Sequence, residues 1–353
     1  MRHTIVFAVC TLICAAACQP VEMPVTEAGV GSLVISVKSG DVAATKSNTD
    51  PAGLDATIHD IQVFLFTQDG RLYLRDTLDM RSSRSFDGVK AGYYTIAALA
   101  NAPALTSIQT QQELEQAQIA LSDNQPDKGF LMYGVCQQPV IVVSGATAPA
   151  IAEIQVERHV GRVRLTTVKN KLPADLGTLT VKGVFLENAL GSWAVGGAGQ
   201  ASAYLNYAGR KSGRNQSTEE ADLIKSSAAA DCAALTWKDV NSPVARGDEG
   251  ESFGLPLYTF PNSCVETEDH FAGPTADKAA VRLVLLVSYG STNEEWYYPV
   301  TIYNLLRNKS YDVSFTISGP GTKDPNRPIT NGNLAVQITV DPWGEGGTIS
   351  GDF

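Results

Sequence analysis

The stretch 281–343 reads VRLVLLVSYGSTNEEWYYPVTIYNLLRNKSYDVSFTISGPGTKDPNRPITNGNLAVQITVDPW, and its rhythm decides the fold. Apolar and β-branched residues come in short runs: VRLVLLVSY (281–289), EWYYPVTIY (295–303), YDVSFTIS (311–318) and LAVQITV (334–340). Runs this short, rich in Val, Ile, Tyr and Phe, suit strands in packed sheets. Gly319-Pro320-Gly321 and Asn331-Gly332 supply the turns between them.

Outward from that stretch the same texture continues. SLVISVK (32–38), IQVFLF (61–66), YYTIAALA (93–100), PVIVV (139–143), IAEIQVE (151–157), GRVRLTT (161–167) and LTVKGVFL (179–186) all read as strands. Asp69-Gly70, Asp87-Gly88 and Ala91-Gly92 read as turns. Many short strands with few helices predict an all-β protein built as two β-sandwich domains. Thr110-Gln-Gln-Glu113 is a capping box, so a short helix is expected on a connection, with Leu114, Ala117 and Leu121 on one face and its end at 122–124. The stretch 195–245 is rich in Gly, Ala, Ser and Asn and predicts long excursions rather than core. The expected division is a first sandwich at 48–150 and a second at 151–353.

The N-terminus predicts a destination. MRHTIVFAVCTLICAAACQP carries Arg2 and His3, an apolar run from Thr4 to Ile13, three alanines and Cys18. That is the layout of a signal peptide over 1–17, with an apolar segment too short to span a bilayer. A cysteine directly after small residues is the bacterial lipoprotein pattern, which makes Cys18 the lipidated residue and its lipid a membrane tether. Residues 18–47 then form an N-terminal segment holding the first strand.

Composition narrows the function. The 353 residues are 44% hydrophobic and carry a net charge of −10, with 37 acidic against 27 basic residues. The basic residues are scattered, which excludes a nucleic-acid footprint. Three cysteines remain beyond Cys18 (Cys136, Cys232 and Cys264), an odd set that is no full disulfide framework and leaves room for a Cys232–Cys264 bridge. His59, His159 and His270 are too far apart for a metal helix motif, and no cofactor is expected.

The residues that suggest catalysis fail on context. Gly250-Glu-Ser252-Phe-Gly254 matches a nucleophile elbow, but no strand leads into it and Pro256 follows where a helix is required. Ser122-Asp123-Asn124-Gln-Pro-Asp127-Lys-Gly129 lacks the spacing and closing Glu of a calcium loop. Asp76 with Asp79, and Glu294 with Glu295, are carboxylate pairs by sequence alone. WYYP (296–299) offers aromatics to a sugar, though alternation along a strand divides them between core and surface. The chain is not expected to be an enzyme.

The C-terminal third resembles the Bacteroidales fimbrillins, the subunits of type V pili. The resemblance rests on Arg307, Asn308 and Tyr311 leading into a strand, Gly319 and Gly321 in a turn, and an alternating strand closing on Trp343. Shorter echoes follow in order: IQVFLFTQDG (61–70), YYTIAALANAP (93–103), FLMYG (130–134), VERHVGRVRL (156–165) and LYTFPN (257–262). The resemblance implies two transthyretin-like sandwiches, export as a lipoprotein, and cutting by an Arg- or Lys-specific protease in the loop after the first strand. It further implies that the first strand then leaves and that a C-terminal strand of another subunit fills the groove.

On this chain the removable strand is the one bearing Leu33, Ile35 and Val37. Its loop SGDVAATKSNTDPAG (39–53) has Lys46 as the single basic residue, which places the cut between Lys46 and Ser47. The donor row is Leu334, Val336, Ile338 and Val340, followed by a Gly-rich tail that leaves stalk, tip and anchor roles open. The partners implied are copies of itself or related pilin subunits. Two other readings stand beside it: a monomeric lipid-anchored adhesin or glycan-binding protein, and an envelope hydrolase resting on Ser252.

Overall fold

The computed structural model describes residues 29–39, 57–79, 83–197, 204–205, 230–262, 280–290, 294–325, 327, 329, 332–343 and 351–352. In the N-terminal half the elements are β1 (Val30–Ser39), β2 (Asp60–Thr67), β3 (Leu72–Asp79), β4 (Ser83–Lys90), β5 (Gly92–Ala100), α1 (Gln111–Gln116), β6 (Gln118–Ala120), β7 (Met132–Val135), β8 (Val140–Val142) and β9 (Ala150–Arg158). In the C-terminal half they are β10 (Gly161–Asn170), β11 (Leu179–Glu187), β12 (Ala189–Leu190), β13 (Ser192–Ala194), β14 (Tyr204–Leu205), α2 (Ala230–Thr236), β15 (Trp237–Val244), β16 (Glu251–Thr259), β17 (Val281–Tyr289), β18 (Glu295–Ile302), β19 (Lys309–Ile317), β20 (Leu334–Pro342) and β21 (Gly351–Asp352).

The first sandwich sets β3-β2-β5-β7 over β4-β1-β9, the two layers joined where the end of β9 turns to pair with β7. The second sets β15-β11-β17-β18 over β16-β10-β19-β20-β21. The plan is repeated. In the first half β1 runs parallel to β9 and antiparallel to β4. In the second, β10 runs parallel to β19 and antiparallel to β16. Strands β2, β3, β5 and β7 likewise correspond to β11, β15, β17 and β18 in sheet order. The second half adds β20 outside β19, antiparallel along its whole length.

Burial follows from the patterns. In β2, Ile61, Val63 and Leu65 face the first core while Phe64 and Phe66 face the second. A strand covered on both faces reads as a continuous apolar run, which is why IQVFLF does not alternate. The second core is the larger, and it is shared: Phe64, Phe66, Ala97, Leu99, Leu114, Phe130 and Leu131 of the first half pack with β10, β11, β17 and β19. The halves therefore meet through apolar side chains.

Several local expectations shift. The Thr110 capping box forms, with Glu113 N donating to Thr110 Oγ1 at 3.2 Å and Thr110 N to Glu113 Oε2 at 3.3 Å. The helix stops at Gln116, however, because β6 takes the chain to pair with β13, and Leu121 falls in a 3-10 turn of its own. Asp87-Gly88 lies inside β4 instead of ending it, with Gly88 at φ +72°. The stretch expected to be excursion contains β15, a full partner of β11. The division expected at 150/151 falls at the start of β9, a strand bonded to β1 and β7.

Candidate functional site

β1 is central to its sheet. Its backbone pairs with β4 from Val30↔Lys90 to Ser36↔Ser83, and with β9 from Leu33↔Ala150 to Ser39↔Val156. Leu33, Ile35 and Val37 point inward and are 0%, 0% and 1% exposed, packed among Val63, Leu65, Phe86, Ile96, Ala152 and Ile154. Burying each such side chain stabilises by about 1.5–3 kcal/mol. On the outer face Lys38 Nζ reaches Glu153 Oε1 at 3.5 Å, both exposed. A strand held on both edges and by three fully buried side chains is an integral part of the first sandwich. Without it, β4 and β9 would present unpaired edges around an apolar groove.

β20 is held differently. It lies outside β19 in the register Ile317↔Leu334 to Lys309↔Pro342, and β21 touches its far edge only at Gln337 and Ile338. Leu334, Val336, Ile338 and Val340 are half-buried against the second core. The expected donor row thus sits on one face of an edge strand, and the expected removable row fills a core. The two-residue β21 comes from the Gly-rich tail, whose composition makes a poor strand.

The strand ends in a packed box. Trp343 is 2% exposed, its ring 5.7 Å from that of Tyr258 in a stacked arrangement and 5.1 Å from Phe130 edge-on. The guanidinium carbons of Arg158 and Arg162 lie 4.6 and 5.0 Å from its centroid. Arg158 Nη1 also donates to Asn308 Oδ1 at 2.9 Å, and Trp343 N donates to Asn308 O at 3.1 Å.

The other residues of the C-terminal pattern build the same seam. Asn308 takes φ +54°, a turn conformation that asparagine tolerates, and its N–H bonds Val160 O at 2.9 Å. Arg307 pairs with Glu157 at 3.3 Å. Tyr311 Oη donates to Asn304 O at 3.0 Å and accepts from Leu306 N at 2.8 Å. A Cβ on Gly321 would stand 2.7 Å from Tyr297 O, so only glycine lets the turn approach β18. His159, between β9 and β10, is fully buried and stacks 5.9 Å from Tyr133. Burial first, and the Arg307 charge second, push its pKa down to about 3, so the ring is neutral. Beside the end of β1 a cleft of about 930 Å³ opens between β7 and β9, lined in part by Lys38, Tyr133, Cys136 and Glu153.

Cys18, Lys46 and Ser47 lie outside the described residues, as do Cys264 and His270. Cys232 is buried in α2. Ser252 is exposed near the start of β16, paired with Thr167 of β10, and strand follows it where an elbow requires helix. In the 122–129 turn two of the side-chain oxygens bind backbone: Asp123 Oδ2 accepts from Ala120 N and Asn124 Oδ1 from Leu131 N. Asp76 pairs with Arg84 at 2.8 Å, and Asp79 is the last residue of β3. Glu294 binds Lys323 at 3.1 Å. Of the WYYP aromatics, Tyr297 and Tyr298 are both buried and Trp296 is covered by Lys323 at 3.7 Å, so the row serves packing. Among the described residues no group of three or more His, Cys, Asp or Glu is placed to hold a metal ion.

β1, β20 and Trp343 stand out in the sequence, whereas nothing in it marks Phe130, Arg158, Arg162 and Tyr258 as the walls of one box. The alternation of VERHVGRVRL marked the two arginines as lying along strands, and nothing local assigns them a ring some 180 residues away in sequence.

Two β-sandwiches of repeated plan, one built around a central first strand and the other carrying an extra edge strand, define the class: an all-β, two-sandwich fold. A family model described as Fimbrillin-A associated anchor proteins Mfa1 and Mfa2 matches residues 31–233, more than half of the chain, and the chain belongs to that family. It is one of the Bacteroidales fimbrillins, a family of fimbrial structural proteins and not of enzymes. The chain is 43% identical over 61 residues to the major fimbrium subunit FimA type-2 of Porphyromonas gingivalis, a match spanning 17% of this chain and only 16% of that relative. Its fold is similar to that of a FimA fimbrilin from Porphyromonas gingivalis W83, with a TM-score of 0.63 and 16% identity over 90% of this chain and 98% of the other. It is also similar to a candidate cell adhesion protein from Bacteroides eggerthii, with a TM-score of 0.63 and 18% identity over 90% and 97% of the two chains.

Proposed function

We propose that this chain is a fimbrial subunit that polymerises by strand exchange and supports adhesion. It is exported as a lipoprotein on Cys18, cut between Lys46 and Ser47, and relieved of β1 together with its lipid. The row Leu334, Val336, Ile338 and Val340 of another copy, or of a related pilin subunit, then fills the groove that Leu33, Ile35 and Val37 occupied. The observation that carries this reading is the contrast between a core-filling β1 and a half-buried, edge-placed β20. An inserted strand would regain ladder bonds to β4 and β9 and set alternate side chains into preformed pockets. Until then β1 acts as an in-place stopper over a sheet edge that would otherwise pair with any extended chain. Lipid, signal and β1 all lie before the cut, so a single cleavage removes them together.

A second reading is favoured by the anchor proteins in the description of the matching family. In an anchor, Cys18 keeps its lipid and the subunit stays at the outer membrane as the base of the fimbrium, giving β20 to a neighbour while β1 remains in place. A monomeric surface adhesin would keep both β1 and β20 at home.

Protease treatment of the full chain is expected to yield oligomers, and Lys46→Gln to prevent both the cut and the oligomers. Uncut Lys46→Gln protein that polymerised as fast as the cut protein would overturn activation by cleavage. The N-terminus of the protein from sheared surface filaments separates the readings: a chain beginning at Ser47 supports the exchanged subunit, and one beginning at Cys18 supports the anchor or the monomer.

A further inference from the structure

We propose that Trp343 is a latch that keeps β20 in its own subunit, and that Arg158 ties this latch to the presence of β1. The inference rests on the reading of β20 as a donor strand. Along its length β20 has one full ladder partner and four half-buried apolar side chains, which is weak retention for a strand. Its end is held far more firmly. Trp343 is enclosed by Phe130, Tyr258 and two guanidiniums, and its backbone N–H bonds Asn308 O. Desolvated cation–π contacts of this kind are worth more than exposed ones, so a single side chain dominates the cost of releasing the strand.

The box draws on both halves. Phe130 and Arg158 come from the first sandwich, and Arg162, Tyr258 and Asn308 from the second. Arg158 is the last residue of β9. Over Ala150–Val156, β9 is laddered to β1, and its other described ladder consists only of Tyr133↔Glu157 and Met132↔Arg158. Departure of β1 therefore strips β9 of most of its pairing immediately before the residue that covers Trp343. The wall of the box loosens and β20 leaves home more readily. Contiguous strands and one arginine form the physical route, and the two-state element is β20, home or released. For the cleaved subunit of the first reading the consequence is order: it offers its donor strand once its own groove is empty, which keeps uncut copies of that kind from donating as well as from accepting.

Hydrogen exchange read by mass spectrometry tests this on the full chain, comparing peptides over 334–342 with the buried reference strand 281–289. Arg158→Gln and Trp343→Ala are expected to speed exchange of β20 about tenfold or more while the reference is unchanged, with Trp343→Phe between them. Protein cut after β1 and freed of that strand should resemble Arg158→Gln. If Trp343→Ala disturbs the reference strand as well, Trp343→Phe carries the test. Wild-type exchange of β20 in a folded Trp343 variant would overturn the latch, and wild-type exchange in protein lacking β1 would overturn the coupling. The readout is strand release and not polymer. Loosened β20 without oligomers would leave the latch standing and remove the donor reading, and oligomers with unchanged β20 exchange in the variants would do the reverse.

Discussion

The two halves of this molecule share a seven-strand plan and differ in how the first strand is tied. β10 follows β9 after only His159 and Val160, so the first strand of the second sandwich is fixed by the chain itself. Among the described residues no strand precedes β1, and it is followed by the polar stretch 40–56 before β2 begins. At the other side of the sheet the difference reverses. β19 has β20 laid along its outer edge, whereas the corresponding β9 turns away to meet β7 at its last two residues. One half thus owns a core strand that a single cut would detach, and the other owns a strand beyond the shared plan. In the proposed exchange, one detachable core strand and one surplus strand would let copies pass strands without changing either sandwich's architecture.

Substitutions should separate the two strands in the order of their burial. Ile35→Ala removes a fully buried side chain from the first core and is expected to cost about 3 kcal/mol in denaturant unfolding. A loss below roughly 1 kcal/mol would mean that β1 does not fill that core as described.

The seam gives the next effect, through pH. Unfolded His159 binds a proton below about 6.5, and folded His159 does not until about pH 3. Within that window the unfolded state holds more protons, so stability falls as pH falls, by about 2 kcal/mol at pH 5 from this residue alone. Thermal melts of wild type and His159→Phe from pH 7 to pH 4 read this directly: the variant should lose part of the acid sensitivity. Equal pH slopes would show that the ring is not held neutral between the halves. Smallest is Ile338→Ala in β20, where a half-buried side chain on an edge strand should cost about 1 kcal/mol. If Ile338→Ala proved as damaging as Ile35→Ala, the contrast between core strand and surplus strand would fail.

Much of this was legible in the sequence, for reasons that residues make plain. Strands with buried faces announced themselves: IQVFLF, YYTIAALA and VRLVLLVSY carry enough apolar surface to be read at sight. The strands that went unread are polar or lie at sheet edges. β3 (LYLRDTLD), β4 (SRSFDGVK) and β15 (WKDVNSPV) keep much of their surface in water, and β15, which contains Pro243, is an edge strand, the place where a sheet tolerates proline. Asp87-Gly88 has the composition of a turn; Gly88 does take a positive φ, but at a register irregularity inside β4. The repeat between halves is invisible in sequence because topology constrains which strands pair and not which apolar side chains they use. Trp343 was legible as the close of a pattern, and its binding partners were not, since they depend on how β9, β10 and β16 converge in space.

The most direct test of the central claim is the structure of the assembled filament by electron cryo-microscopy. Residues 334–340 of one copy are expected to lie between β4 and β9 of the next, with Leu33, Ile35 and Val37 gone from that groove. Filaments in which residues 30–39 of each subunit still lie between its own β4 and β9 would contradict it.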